Sequence, residues 1–126
     1  MILLLDTLVL LWWLADDSVI HPEASASIAS PANDVVVSAA SIWEIEIKRA
    51  SGRLRQVPDA YLEAVERSGF SSLPIVSSDA VRAGRLPPHH RDPFDRMLVA
   101  QALRLDAVIV TRDPAFSAYG VPLLAA

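Results

Sequence analysis

Apolar residues fall into two kinds of run along this chain. Residues 2–5, 35–37 and 107–110 are apolar without alternation, the pattern of parallel strands covered on both faces. Residues 7–14 are apolar on all sides and predict a short buried helix. Trp12 and Trp13 stand ~100° apart on such a helix, so one is expected in the core and the other against a partner or second subunit. A helix over 22–30 opens on Pro22. Over 39–50, Trp43, Ile45 and Ile47 alternate with Glu44, Glu46 and Lys48, which alone reads as a strand. Ser41 with Glu44 three residues later forms a capping-box pattern, and Gly52 supplies a stop, so helix is expected. Residues 58–68 predict an amphipathic helix ended by Gly69. A strand over 73–76, a helix over 78–85, a stiff Pro-rich loop over 87–91 and a helix over 93–105 capped by Asp92 follow. A turn at Asp113 and Pro114 and a strand over 121–124 close the chain. Strands alternating with helices predict a three-layer α/β/α domain around a mainly parallel sheet.

Length and composition narrow the class. A chain of 126 residues is expected to form one domain over 1–126. Its 52% hydrophobic content is slightly rich, and the excess reads as surface reserved for a partner or a second copy. The absence of Cys excludes disulfides, thiolate zinc sites and thiol nucleophiles, which fits a cytoplasmic protein. Four Gly and no Gly-rich loop exclude nucleotide sites of the Walker or dinucleotide type. A nucleophile elbow is also missing. Asp6 interrupts the only apolar stretch that resembles a signal peptide, and residues 8–15 are too short to span a bilayer, so no membrane association is expected. The net charge of −4 argues against a generic nucleic-acid coat. All eleven basic residues lie between Lys48 and Arg112, so an acidic segment borders a mildly basic one, as a metal site flanked by phosphate contacts requires.

Four acids carry the candidate chemistry: Asp6, Glu44, Asp95 and Asp113. Asp6 ends the first apolar run, and Asp113 follows the 107–110 run after Thr111 and Arg112. Ligands of open α/β sheets bind beyond the carboxyl ends of the strands, so both reach the same rim. Glu44 and Asp95 each open a helix that can point back to it. Two unit charges ~4 Å apart at an effective dielectric near 20 repel by roughly 4 kcal/mol, so such a cluster takes up protons or binds a divalent cation. Each acid also has an ordinary explanation. Asp113 before Pro114 is a turn initiator; Glu44 completes the capping box; Asp95 suits the first-turn helix dipole. Asp6 has the weakest ordinary explanation, since it breaks an apolar run with no turn signal nearby. His89 and His90 in the Pro-rich loop are expected to be solvated, as are Asp16, Asp17, Glu63 and Glu66. Lys48, Arg49, Arg53 and Arg55 form either an exposed helix end or a set of phosphate contacts.

Four segments in order resemble the PIN domain of VapC-type toxins from bacterial toxin–antitoxin systems. They are Leu4-Leu5-Asp6-Thr7, residues 37–45 with Ser41, Trp43 and Glu44, residues 90–102 with Asp92-Pro93-Phe94-Asp95-Arg96, and Val110-Thr111-Arg112-Asp113. The similarity spans nearly the whole chain. It implies an Mg²⁺- or Mn²⁺-dependent endoribonuclease. Attack by a cation-activated water leaves a 5′-phosphate and a 3′-hydroxyl, and single-stranded or looped RNA is the expected target because unstacked backbone fits a cleft. The resemblance also implies a homodimer and inhibition by a VapB-type antitoxin whose apolar segment fills a groove near the acidic rim. By the same resemblance Asp6, Glu44, Asp95 and Asp113 are the metal-binding and catalytic acids. Thr7 and Thr111 are hydroxyl supports, and Asp92 and Arg96 brace the site. Leu8 departs from related sequences, which often carry a polar residue there. The alternative is a catalytically silent PIN-like module that binds RNA or protein only. A receiver-type or phosphatase domain needs a Lys beside its phosphorylated Asp, and Lys48 is the sole lysine.

Overall fold

Five short strands hydrogen-bond side by side, all parallel, in a computed structural model that describes residues 1–54 and 56–126. They are β1 (Ile2–Leu5), β2 (Asp34–Ser38), β3 (Ser71–Leu73), β4 (Val108–Thr111) and β5 (Leu123–Ala125), arranged β3-β2-β1-β4-β5. The helices are α1 (Thr7–Ala15), α2 (Pro22–Ala29), α3 (Ala39–Ala50), α4 (Tyr61–Arg67), α5 (Ser77–Arg85) and α6 (Pro93–Leu105), with 3₁₀ turns at Asp17–Val19 and Pro114–Tyr119.

Alternate side chains of each strand feed two cores, one on each face of the sheet. Leu3, Leu5, Val35, Val37 and Val110 pack with Val9 and Leu10 of α1, Ile28 of α2, Ile45 of α3 and Val65 of α4. Leu4 and Ile109 point the other way, against Leu98, Val99 and Ala102 of α6 and Phe116. This is the expected α/β/α sandwich, and it explains the unalternating strands: both faces are buried. The chain winds outward from β1 through β2 to β3, then crosses back to lay β4 on the other side of β1. The reversal point is therefore the crevice between the carboxyl ends of β1 and β4, where ligands of such sheets bind. No helix among the described residues is long and apolar enough to cross a membrane.

Several boundaries differ from expectation. β3 covers Ser71–Leu73 rather than 73–76, because Pro74 has no N–H to offer the ladder. α4 begins at Tyr61, whose N–H donates to the Pro58 carbonyl, so residues 58–60 form a turn rather than a first helical turn. The expected capping box of Ser41 and Glu44 does not form. Ser38, the last residue of β2, caps α3 by accepting from the Ala40 N–H at 3.0 Å, which places Ser41 inside the helix. Trp12 and Trp13 are both half-buried, so neither fills the core alone. Trp12 lies beneath the Arg112 guanidinium, 4.3 Å from the ring centre, and Trp13 meets Phe70.

A buried polar tie joins the helices of the crossover, and sequence patterning does not show it. Asp79 on α5 is 1% exposed and accepts two hydrogen bonds from Arg104 on α6, at 2.7 and 3.0 Å. Gln101, fully buried on α6, accepts from Ser38 at the end of β2 and donates to the Pro74 carbonyl. Asp79→Ala strands a guanidinium that still reaches water on one side. The expected loss in urea unfolding is therefore measurable but short of the ~3–5 kcal/mol typical of breaking a fully buried pair.

Candidate active site

The β1/β4 crevice gathers its acids from four elements. Asp6 follows β1 at the N-cap position of α1, yet its carboxylate makes no capping hydrogen bond. It accepts instead from the Thr111 hydroxyl at 2.6 Å, and the same hydroxyl oxygen accepts from the Asp113 N–H at 3.0 Å. Thr111 thereby fixes the spacing of the two strand ends. Glu44, buried on the inner face of α3, accepts from Lys48 one turn on, at 2.8 Å. Asp95 sits in the first turn of α6. Asp92 caps that helix, with one oxygen accepting from the N–H groups of Phe94 (2.8 Å) and Asp95 (3.2 Å). Asp113 caps the Pro114–Tyr119 turn through Oδ1, which accepts from the Ala115 N–H, while Oδ2 faces the crevice.

Together with Thr7, Lys48 and Arg112 these acids line a cleft of about 240 Å³. Electrostatics couple them. Burial, followed by repulsion from Asp92, Asp6, Glu44 and Asp113, pushes the Asp95 carboxyl up to about 8. Burial also raises Asp6, although its bond from Thr111 offsets part of that shift. All the acids are hard oxygen donors, and burial together with their mutual repulsion lets Asp95 hold its proton near neutrality. That donor set fits a divalent cation such as Mg²⁺ or Mn²⁺.

The supporting residues fall into place unevenly. Thr7 donates to the Ser41 hydroxyl at 3.0 Å, joining α1 to α3, rather than touching an acid directly. Arg96 turns away from the carboxylates and donates to the carbonyls of Leu86, Pro87 and His90, pinning the Pro-rich loop. Of Lys48, Arg49 and Arg53, only Lys48 lines the cleft. Arg49 pairs with Glu46 and Asp59, and Arg53 donates to Ser51. Arg55 lies outside the described residues. The expectation of a solvated loop histidine fails at His90. Its ring is largely buried, with Nε2 2.8 Å from Asp95 Oδ2 and 3.6 Å from Asp113 Oδ2. His90 joins the acids because Arg96 and Tyr119 hold the loop there, a tertiary contact with no signature in local sequence.

The PIN domain family model matches residues 3–122. The chain belongs to the PIN-domain family. Membership makes a nuclease the activity to which this geometry is to be fitted. Among curated proteins, none matches the chain. Three solved structures show the same fold. VapBC2 from Rickettsia felis, bound to a DNA fragment from its promoter, is similar at 14% identity and a TM-score of 0.76, over 99% of this chain and 98% of that one. FitAcB from Neisseria gonorrhoeae is similar at 20% identity and a TM-score of 0.65, over 97% and 96%. VapBC-5, a VapBC toxin–antitoxin family member from Mycobacterium tuberculosis, is similar at 20% identity and a TM-score of 0.62, over 98% and 96%.

The electrostatics of this PIN domain set a pH dependence. Between an ordinary Asp value near 3.8 and about 8, the folded state binds a proton at Asp95 that the unfolded state does not. Without added cation, stability therefore falls as pH rises through that window. Asp95→Asn is expected to match the parent melting temperature near pH 4 and exceed it at pH 8. Equal melting curves at both pH values refute the electrostatic assignment.

Proposed function

We propose that this PIN domain is a divalent-cation-dependent endoribonuclease, the toxin of a VapC-type pair, acting on single-stranded or looped RNA. The observation that carries the reading is the convergence of Asp6, Glu44, Asp95 and Asp113 on one cleft at the switch point of the sheet. The family match and the two VapBC structures of similar fold support it. Asp6, Glu44, Asp95 and Asp113 would hold Mg²⁺ or Mn²⁺. The cation, when bound, supplies charge stabilisation at the phosphodiester and acidifies the attacking water. The chain's own residues then orient and exclude. Thr111 fixes the rotamer of Asp6, Asp92 and the start of α6 set Asp95, and of the two basic side chains lining the cleft, Lys48 and Arg112, Lys48 would meet a phosphate. Unstacked RNA suits an open cleft of this kind.

The antitoxin in this reading has a place to bind. An apolar groove of about 370 Å³ runs beside the acidic cleft, lined by Leu8, Leu11, Trp12, Leu54, Val57 and Tyr61. Leu8, Leu11, Trp12 and Leu54 border both spaces, so a segment filling the groove reaches the carboxylates. An apolar Leu8, half exposed, suits that contact better than a polar residue. A guanidinium from such a partner pairs well with clustered acids.

Purified protein freed of antitoxin is expected to cleave single-stranded RNA with Mg²⁺ and to stop on adding EDTA. Asp6→Asn and Asp95→Ala should remove nearly all cleavage with the fold intact. Asp92→Ala should cost about 1 kcal/mol as a lost helix cap and reduce activity only in part. RNA binding without cleavage at any cation concentration identifies the silent module instead. The same reading includes a homodimer, for which light scattering at micromolar concentration is expected to report twice the monomer mass. A clean monomer removes the dimer and leaves the nuclease standing.

A further inference from the structure

His90 is held from every side. Its N–H donates to the Tyr119 hydroxyl at 2.8 Å, and its carbonyl accepts from Arg96 at 3.2 Å. Its ring lies edge-on to Phe116, which is fully buried. The Asp92 N–H donates to ring Nδ1 at 3.3 Å, so the acceptor nitrogen is taken. Nδ1 acting as acceptor places the ring proton on Nε2, because the hydrogen bond made by one imidazole nitrogen sets the state of the other. Nε2 is buried between Asp95 and Asp113, with an oxygen of each within 4.8 Å of it and of one another. By ligand type these three residues resemble a cation site, but a nitrogen that carries a proton has no lone pair to give. The N–H is instead aligned on neither carboxylate, although Asp95 Oδ2 is only 2.8 Å away.

We propose that His90 is a positioning residue of the acidic centre, a fixed Nε2–H donor that orients the carboxylates of Asp95 and Asp113 without ligating the cation. A carboxylate that gives one oxygen to a cation keeps the other for a hydrogen-bond donor, and such outer partners set the affinity of the inner ligands. Asp113 already spends Oδ1 on the Ala115 N–H, and Asp92 spends Oδ1 on the α6 amides. Asp95 has no backbone donor of this kind among the hydrogen bonds described, and His90 Nε2, 2.8 Å from its Oδ2, is the side-chain donor within reach. Apo-state hydrogen bonds at reacting centres are commonly misaligned and tighten on binding, which accounts for the off-axis geometry. One loop therefore serves two ends: Arg96 and Tyr119 fix the backbone, and the backbone fixes the donor.

This proposal rests on the divalent-cation reading, so the test separates the two. Mn²⁺ titrations followed by calorimetry on the parent come first, and a parent that binds no Mn²⁺ sinks the cation reading itself. With a binding parent, His90→Ala should weaken Mn²⁺ about 10- to 100-fold, the usual cost of losing an outer-shell partner. His90→Gln, which keeps an N–H donor at similar reach, should recover most of that loss. Parental affinity in His90→Ala overturns the proposal, as does a Gln variant as weak as the Ala variant. Two spectroscopic readouts separate donor from ligand. Pulsed electron paramagnetic resonance of bound Mn²⁺ should show no directly coordinated nitrogen, and a strong coupling that vanishes in His90→Ala makes His90 a ligand instead. Nitrogen NMR of the cation-free protein should show His90 protonated at Nε2 and unprotonated at Nδ1. The opposite tautomer refutes the donor role whatever the cation does. Melting curves with unchanged cooperativity confirm that both variants fold.

Discussion

Like charges held close together in a partly dry crevice govern this molecule. Asp6, Glu44, Asp92 with Asp95, and Asp113 come from four separate stretches of chain, and the fold brings them to one place against their mutual repulsion. Two unit charges ~4 Å apart at an effective dielectric near 20 repel by roughly 4 kcal/mol, so gathering acids in this way works against folding. Asp95 is pushed up to about 8 by burial first and by repulsion from Asp92, Asp6, Glu44 and Asp113 after it. Such a site persists only if the scaffold around it is strong enough to impose it. Two apolar cores on opposite faces of a five-stranded parallel sheet provide that strength, and residues packed on them, such as Leu11 and Trp12, reach the wall of the cleft.

Much of the remaining polar structure offsets this repulsion. Asp92 and Asp113 each commit one oxygen to a helix or turn amide, so local capping and site-building use the same side chain. Lys48 neutralises Glu44 from one turn away, and Thr111 donates to Asp6. Capping and a candidate catalytic role are therefore not competing explanations for these acids. A carboxylate has two oxygens, and in Asp113 one serves the cap while the other faces the crevice. The buried Asp79–Arg104 pair does analogous work for the crossover, joining α5 to the helix that carries Asp95.

The groove beside the cleft links the electrostatics to the apolar composition. Leu8, Leu11 and Trp12 project from α1, whose first turn follows directly on Asp6. An apolar ligand on that helix is bound to approach the acids, and α1 thus couples the excess hydrophobic content to the site. Arg112, stacked on Trp12 and donating to the Val19 and Ala126 carbonyls, closes the other margin.

The layered α/β/α architecture was legible because burial on both faces of a parallel sheet leaves unbroken apolar runs, visible at 2–5 and 107–110 without any structure. The placement of Asp6 at a strand end was equally legible, since an acid that breaks such a run has few other reasons to be there. Helix α6 and its Asp92 cap also follow from local rules, as capping depends on neighbours within one turn. Tertiary structure alone decided the rest. Pro74 ended β3 early only because the ladder with β2 demanded an N–H there, and Ser38 rather than Ser41 capped α3 because β2 runs straight into that helix. Above all, His90 looked like a solvated loop residue, and contacts from Arg96 and Tyr119 placed it between Asp95 and Asp113. Periodicity and capping report forces within a few residues; the meeting of side chains far apart in sequence depends on how the layers close.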